Sequence, residues 1–437
     1  MRGFFFCPHT KTHKMQKPKS AWAWLPGLYF IEGLPNAIVG TLSVAYYSSR
    51  GMSNADMAML TSFLYLPWVL KGFWGPLVDS ISTKRNWVLF CLGIFLSCFV
   101  GLVAAQFFSF WIAATAAIFW ILGFASATYD IAADGYYMLA LDDRRQSFFV
   151  GIRNAFYRLA VLFGQGAMLV IAGKAKTFFE DERIGWAVSF GACVAILLLC
   201  IPLFQWTLPK PRSDTPRKDS NVREVWANIK NAFREFLCKK DIVTILLFIF
   251  FYRFAEAQLV KITQPFLLDS RANGGLGLTL EKVGTIYGTI GAAALLLGGI
   301  LGGIFISRRG LIKSLLPMVL ALNLTNLVYV YLAAAQPGSA AVIGSLVVLE
   351  QFCYGFGFAA FMVYLIQVSK GENKTSSYAI CTSLMALGIM IPGFFGGKLQ
   401  ELFGYLDFFI YVCFATTASF LVTWLAYKQL KRQQNSQ

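Results

Sequence analysis

Residues 126–145 read "SATYDIAADGYYMLALDDRR", with two aspartates four positions apart in an otherwise apolar run. Four residues make about one helical turn, so Asp130 and Asp134 share one helix face. The run extends upstream through about 20 apolar residues, long enough to cross a hydrocarbon core about 30 Å thick. A carboxylate near the centre of a bilayer costs roughly 2.5–3.5 kcal/mol on insertion scales. Two acids on one such helix therefore require partners at the same depth.

The surrounding sequence repeats this apolar pattern. Hydrophobic residues make up 57% of the chain and charged residues 14%, against about 25% charged in soluble domains. Twelve spans are read, at about 21–47, 55–78, 86–107, 110–141, 148–172, 185–206, 242–268, 281–306, 311–334, 338–368, 376–397 and 406–427. The fold class expected is an all-α membrane protein of two six-helix bundles.

The net charge of +16 is a matter of placement. With the N-terminus inside, 26 of the 38 Lys and Arg fall on the inner loops and tails, 7 outside and 5 within spans. That asymmetry is the positive-inside pattern; it puts both termini in the cytoplasm and removes the case for nucleic acid. The basic tail 1–20 has no apolar core or cleavage site of its own and reads as a cytoplasmic lead-in. His9 and His13 both lie in that tail, so proton chemistry within the spans falls to carboxylates. The nine cysteines form no Cys-x-x-Cys pair, so neither a zinc site nor a disulfide framework is expected.

The longest polar interval, 207–241, divides the bundles 21–206 and 242–428, and 429–437 forms the C-tail. Its second part places Val222, Trp226, Ile229, Phe233, Phe236 and Leu237 at helical spacing, an amphipathic helix for the inner membrane surface. The halves echo each other: "YFIEG" (29–33) against "RFAEA" (253–257), "GMSNAD" (51–56) against "GLTLEK" (277–282), and "GPLVDSISTKR" (75–85) against "GIFISRRGLIK" (303–313). Three matches in order, at offsets of 224 to 228 residues, indicate a 6+6 duplication, with Ser53 and Thr279 as equivalent N-caps. The last pair of loops resembles the inner-loop signature of the major facilitator superfamily. Gly75, Leu77 and Asp79 carry it in the first copy, with Lys84 and Arg85 displaced, and Gly303, Arg308, Gly310 and Lys313 in the second, where Ser307 stands in place of aspartate; Gly75, Asp79, Lys84, Arg85, Arg308 and Arg309 are the residues expected to gate across the seam between the halves.

Axial position at about 1.5 Å per residue pairs Asp130 with Arg158 and Asp134 with Arg153. The same arithmetic sets Glu32 and Arg253 near the midplane and Glu350 close to it. Spans 1, 4, 7 and 10 are equivalent in consecutive three-helix units, so these charges point to a central polar cavity of the kind in which secondary transporters bind solute. Arg158, Arg253, Glu256, Gln258, Glu350, Gln351 and Tyr129 are the candidate solute contacts, and Asp130, Asp134 and Glu32 the candidate proton carriers. Lys261, Gln264 and Lys71 could extend the cavity, but Lys71, Arg153 and Lys261 sit near enough to a membrane surface to snorkel. The competing reading is that the charges are structural ion pairs that set helix register.

Longer stretches resemble one branch of that superfamily, the AmpG-type muropeptide permeases and related acetyl-CoA transporters. "LPWVLKGFWGPLVDS" (66–80) carries Lys71, Trp74, Pro76 and Asp79 of its second-span pattern, and Asp130, Ile131, Asp134, Gly135 and Tyr136 match its fourth. "LEQFCYGFGFAAFMVYL" (349–365) and "SSYAICTSLMALG" (376–388) match its tenth and eleventh. Tyr129, Tyr137 and Gln351 depart from it, where the branch has glutamine, arginine and asparagine. The resemblance implies a monomeric, proton-driven importer in a bacterial inner membrane, with no cofactor other than the coupling proton. Its solute would be an amino sugar or anhydro-muropeptide. Another bulky anion such as a coenzyme A ester, or a sensor that does not transport, are the alternatives. A membrane enzyme is disfavoured because the spans hold no histidine and no nucleophile motif.

Overall fold

The computed structural model describes residues 20–141, 143–211, 214–215, 222–369 and 374–435, with a few side chains inside these helices left out. Secondary structure among them is entirely helical. In a bilayer this is forced, because only a helix or a closed barrel satisfies every backbone polar group internally. Among the described residues, ten helices are long and apolar enough to cross a membrane.

The elements are α1 (Ala21–Ser49), α2 (Asn54–Phe63), α3 (Leu66–Ile81), α4 (Lys84–Ala105) and α5 (Trp111–Ala140). Next come α6 (Asp143–Leu162, running through Phe163–Ala167 into Met168–Phe179) and α7 (Glu182–Thr207). The second half holds α9 (Ile242–Leu268), α10 (Leu280–Arg309), α11 (Leu311–Ala335), α12 (Ala340–Val368) and α13 (Lys374–Asn435). The last is two helices joined at Gly404, whose φ of 76° and ψ of 174° turn the chain back. Between the halves lies α8 (Val222–Leu237), the amphipathic helix read from the sequence. Its Phe236 is fully buried with Ile245 and Phe248 in the core of the second half.

The chain enters α1 at what is here called the near face and reaches the far face at Arg50. Ser53 and Thr279 cap their helices as expected, accepting from Asp56 N at 3.1 Å and Lys282 N at 3.4 Å. At the near face, Asp214 of the linker accepts from the N–H groups of Lys84 (2.7 Å) and Arg85 (3.1 Å), which places a carboxylate on the N-terminus of α4. The Arg85 guanidinium donates to the carbonyls of Gln205 (3.0 Å) and Leu208 (3.3 Å). Lys84 and Arg85, expected in gating across the seam, thus fasten the linker to the first half. Arg309 lies over the Phe305 ring of its own helix, and Arg308 is exposed in the last turn of α10. Gly75 and Asp79 are described only as backbone of α3, so their expected gating role falls outside the described side chains.

The seam between the halves is closed at the far face by backbone contact. Glycines 166 and 288 mark where α6 crosses α10, each within a π-helical stretch (Phe163–Ala167 and Gly284–Gly291). A Cβ on Gly288 would lie 2.1 Å from the Gln165 carbonyl oxygen, and one on Gly397 of α13 would lie 1.9 Å from that of Asn54. Side chains complete the closure. Asn54 donates to Gln400 (2.7 Å) and to Tyr405 (3.0 Å), whose hydroxyl donates to Asp269. Glu401 accepts from Ala55 N at 2.7 Å, so a carboxylate of one half caps a helix N-terminus of the other.

Two outcomes are expected. Gly288→Val should lower stability in detergent by about 1–3 kcal/mol through overpacking, whereas Gly303→Val, with nothing within 4 Å of its Cβ position, should leave the melting temperature unchanged. Glu401→Ala should weaken the far-face closure by roughly 1 kcal/mol, read as a shift toward longer spin–spin distances between labels at Met52 and Leu402.

Candidate functional site

Four helices of the first half bring polar and charged side chains to one place. Glu32 and Tyr29 come from α1, Lys71 from α3, Asp130 and Asp134 from α5, and Arg153 and Tyr157 from α6. The Lys71 ammonium lies 2.5 Å from Asp130 Oδ2. Asp134 Oδ1 lies 3.0 Å from an Arg153 guanidinium nitrogen and accepts from the Tyr29 hydroxyl at 3.0 Å. Arg153 also donates to that hydroxyl at 3.0 Å and lies over the Tyr29 and Tyr137 rings at 4.7 and 5.3 Å. Glu32 is buried against Asp130, and its Oε2 has no hydrogen-bond partner.

The expected pair Asp134–Arg153 is present. Asp130, however, takes Lys71 and not Arg158. Depth along a helix fixes the axial coordinate alone; azimuth is set by packing. At Gly33 the backbones of α1 and α6 nearly touch, and a Cβ there would lie 2.6 Å from the Tyr157 carbonyl. Tyr157 and Ala160 therefore face α1, and Arg158, about 100° further round, is exposed and has no carboxylate among the described residues. Lys71 does not snorkel, because its ammonium is held by Asp130. Tyr129, expected among the solute contacts, is fully buried and donates to the Leu28 carbonyl at 3.1 Å. It joins α5 to α1.

The second half holds two smaller clusters. α9 loosens at Arg253 (φ −111°, ψ 16°), which aims the guanidinium back at Glu256, 2.9 Å away and equally buried. Arg253 also donates to the Tyr354 hydroxyl and lies 4.7 Å over the Phe358 ring, both on α12. Glu350 stands apart, accepting from Tyr329 OH at 3.0 Å and Gln351 Nε2 at 2.9 Å, with no cation in contact among the described residues. Gln258 turns onto its own helix at the Phe254 carbonyl, 3.3 Å away. Lys261 does not snorkel either. It is 1% exposed, donates to Thr61 Oγ1 at 3.2 Å and lies 4.8 Å over the Tyr65 ring, both in the first half. Tyr65 is thus wedged between the halves.

Sequence reasoning missed the partner of Asp130 and the isolation of Lys261, as well as the far-face group Asn54, Glu401 and Tyr405. The i, i+3 spacing of Arg253 and Glu256 was a readable signal for that pair. No comparable signal joins Lys71 to Asp130, 59 positions apart. Among the described residues no group of three or more His, Cys, Asp or Glu could hold a metal ion.

Buried, mostly paired charges on a helical bundle in two halves, with the seam closed at one face, describe a solute carrier. Comparison with known proteins agrees. Residues 27–393 match the model of the Major Facilitator Superfamily. The chain is 25% identical over 414 residues to a putative transporter AmpG 4 of Rickettsia conorii, covering 91% of this chain and 94% of the relative. It is 26% identical over 408 residues to the anhydromuropeptide permease of Escherichia coli K12, covering 91% and 77%. Among solved structures it resembles a bacterial homologue of the human lysosomal transporter Spinster in an inward-facing, occupied conformation (TM-score 0.71, 15% identity, 96% and 98% covered). It also resembles a D-xylose–proton symporter (TM-score 0.62, 15% identity, 92% and 95% covered). This multi-pass membrane protein, similar to the AmpG-type permeases, belongs to the major facilitator superfamily.

Proposed function

We propose that this transporter imports an anionic amino-sugar solute, of the anhydro-muropeptide class, by alternating access coupled to protons. The carrying observation is the charge count of the first-half cluster. Glu32, Asp130 and Asp134 are three carboxyls, and Lys71 and Arg153 are two cations. A group of charges in low dielectric is cheapest when neutral. Three acids against two bases are neutral with one proton bound, and the adjacent carboxyls of Glu32 and Asp130 are where that proton would be shared. Asp134 has Arg153 and the Tyr29 hydroxyl on one oxygen and is the acid already paired. Binding the proton from one side and releasing it to the other couples the cluster to the halves, because α1, α3, α5 and α6 move together.

The names of the AmpG relatives support the solute class, and the matching pattern at Asp130 and Asp134 supports a shared coupling site. Arg158, exposed and without a carboxylate, is the open contact for the solute's acid groups. Arg253, already neutralised by Glu256, orients through Tyr354. Taking the two turns at Phe63–Leu66 and Gly404 into account, the chain would cross a bacterial inner membrane twelve times as a monomer. The positive-inside asymmetry would leave both termini in the cytoplasm, with the closed far face toward the periplasm.

In proteoliposomes, an imposed inward proton gradient should drive uphill uptake of N-acetylglucosaminyl-anhydro-N-acetylmuramyl tripeptide by the native chain. Asp130→Asn and Glu32→Gln should each abolish uphill uptake while preserving solute exchange at equal concentrations. Full gradient-driven uptake by either variant would refute the coupling site. Lys71→Met and Asp130→Asn should be non-additive in stability by about 0.5–3 kcal/mol, the double variant being less damaged than the sum of the two. Strict additivity would leave the ion pair without energetic weight.

A further inference from the structure

Each cation described inside a span has a carboxylate partner or is open to solvent, with one exception. Lys71 has Asp130, Arg153 has Asp134, Arg253 has Glu256, and Arg158 is exposed. Lys261 is 1% exposed, and among the described residues it has no carboxylate in contact, only the Thr61 hydroxyl and the Tyr65 ring. Desolvating an ammonium costs several kcal/mol, and one neutral hydrogen bond with one cation–π contact recovers only part of that. As scaffold, the position would be better filled by leucine or methionine.

Its surroundings are unsatisfied in the same sense. Gln264, one turn further along the same face of α9, is 1% exposed, and neither its amide nitrogen nor its amide oxygen has a partner. Ser62, next to Thr61, is fully buried and its hydroxyl is also unpartnered. Gly393 of α13 separates the two sides: a Cβ there would lie 2.9 Å from Ser62 Oγ and 3.3 Å from Lys261 Cγ. Pro265 follows, and since proline donates no N–H it leaves the Lys261 carbonyl without its helical hydrogen bond, so α9 is weakened at this point. Ammonium, amide and hydroxyl together offer six donor hydrogens. The chemistry that satisfies such a set is an acceptor-only anion, a carboxylate above all.

We propose that Lys261, with Ser62 and Gln264, is the subsite that receives the solute's carboxylate when the far face is open. Lys261 and Gln264 belong to the second half, and Ser62 and Thr61 to the first. Closing the far seam therefore brings the two sides together and excludes the ligand from the space it occupied. In the closed form the donors are left unsatisfied, and that deficit favours reopening and capture of the next solute. This assignment rests on the reading of the solute as an anionic amino sugar, and with the far face open it moves recognition of the acid from the exposed Arg158 to the unpaired lysine. The lactyl ether carboxylate of a muramic acid has the required charge, with a neighbouring acetamido oxygen as a further acceptor.

The test uses the purified full-length protein and two probes that differ only in charge, 1,6-anhydro-N-acetylmuramic acid and its lactyl amide. Affinities are read from thermal stabilisation across a concentration series. The native chain should prefer the acid by roughly tenfold to a hundredfold, the worth of one charge-assisted hydrogen bond. Lys261→Gln and Lys261→Met should bring the acid down to the affinity of the amide, and Lys261→Arg should keep most of the preference. Both neutral variants should melt no lower than the native chain without ligand, because they remove an uncompensated buried charge. A neutral variant that folds and still prefers the acid overturns the subsite. So does a native chain that binds both probes equally, which leaves the amino-sugar reading standing. A native chain that binds neither probe removes the amino-sugar reading and the subsite with it.

Discussion

Charge neutrality inside a low-dielectric bundle is the constraint on which the rest of this structure depends. Asp130 and Asp134 can occupy the interior of α5 only because Lys71 and Arg153 arrive from α3 and α6 at the same depth. That requirement fixes the relative height and rotation of three helices, and Tyr29 draws in a fourth through its hydroxyl on Asp134. The carboxyls of the cluster outnumber its cations by one, Glu32, Asp130 and Asp134 against Lys71 and Arg153. The pairs that align the helices also leave one acid over.

The second half meets the same constraint differently. Arg253 is neutralised within its own helix by Glu256, three residues on, so this pair aligns little by itself and reaches α12 through Tyr354 and Phe358. Glu350 is carried by Tyr329 and Gln351, and Lys261 by Thr61 and Tyr65 of the other half. The first half is thus tightly paired, while the second keeps single charges supported only by neutral groups. Between them the far seam is held by glycine-on-backbone contact and by carboxylate and amide groups at helix ends. Contacts of that kind have two discrete arrangements, made or broken.

Much of this was legible in the sequence. Apolar spans of about 20 residues and the amphipathic α8 follow from what a bilayer and a helix demand of local composition. The N-caps at Ser53 and Thr279 are where the residue types put them. For the site, the depth arithmetic correctly brought Asp134 to Arg153, because both azimuths were also favourable. It failed for Asp130, since Gly33 lets α1 press against Tyr157 and thereby turns Arg158 away. Snorkelling failed for Lys71 and Lys261, whose stems run toward other helices and not toward the membrane surface.

What the sequence by itself determined is the list of costs: which residues lie within hydrocarbon, at what depth, and how many charges must be reconciled there. These are one-dimensional properties, set by 1.5 Å per residue and by side-chain chemistry. Which acid meets which base, and which cation is left alone, was decided only by the tertiary structure. Rotation about a helix axis is set by the closest contact between backbones, and that contact is often a single glycine on a neighbouring helix distant in sequence. Lys261 shows the difference. Its type and depth could be read at once, but its isolation exists only because Thr61, Ser62 and Gly393 close over it.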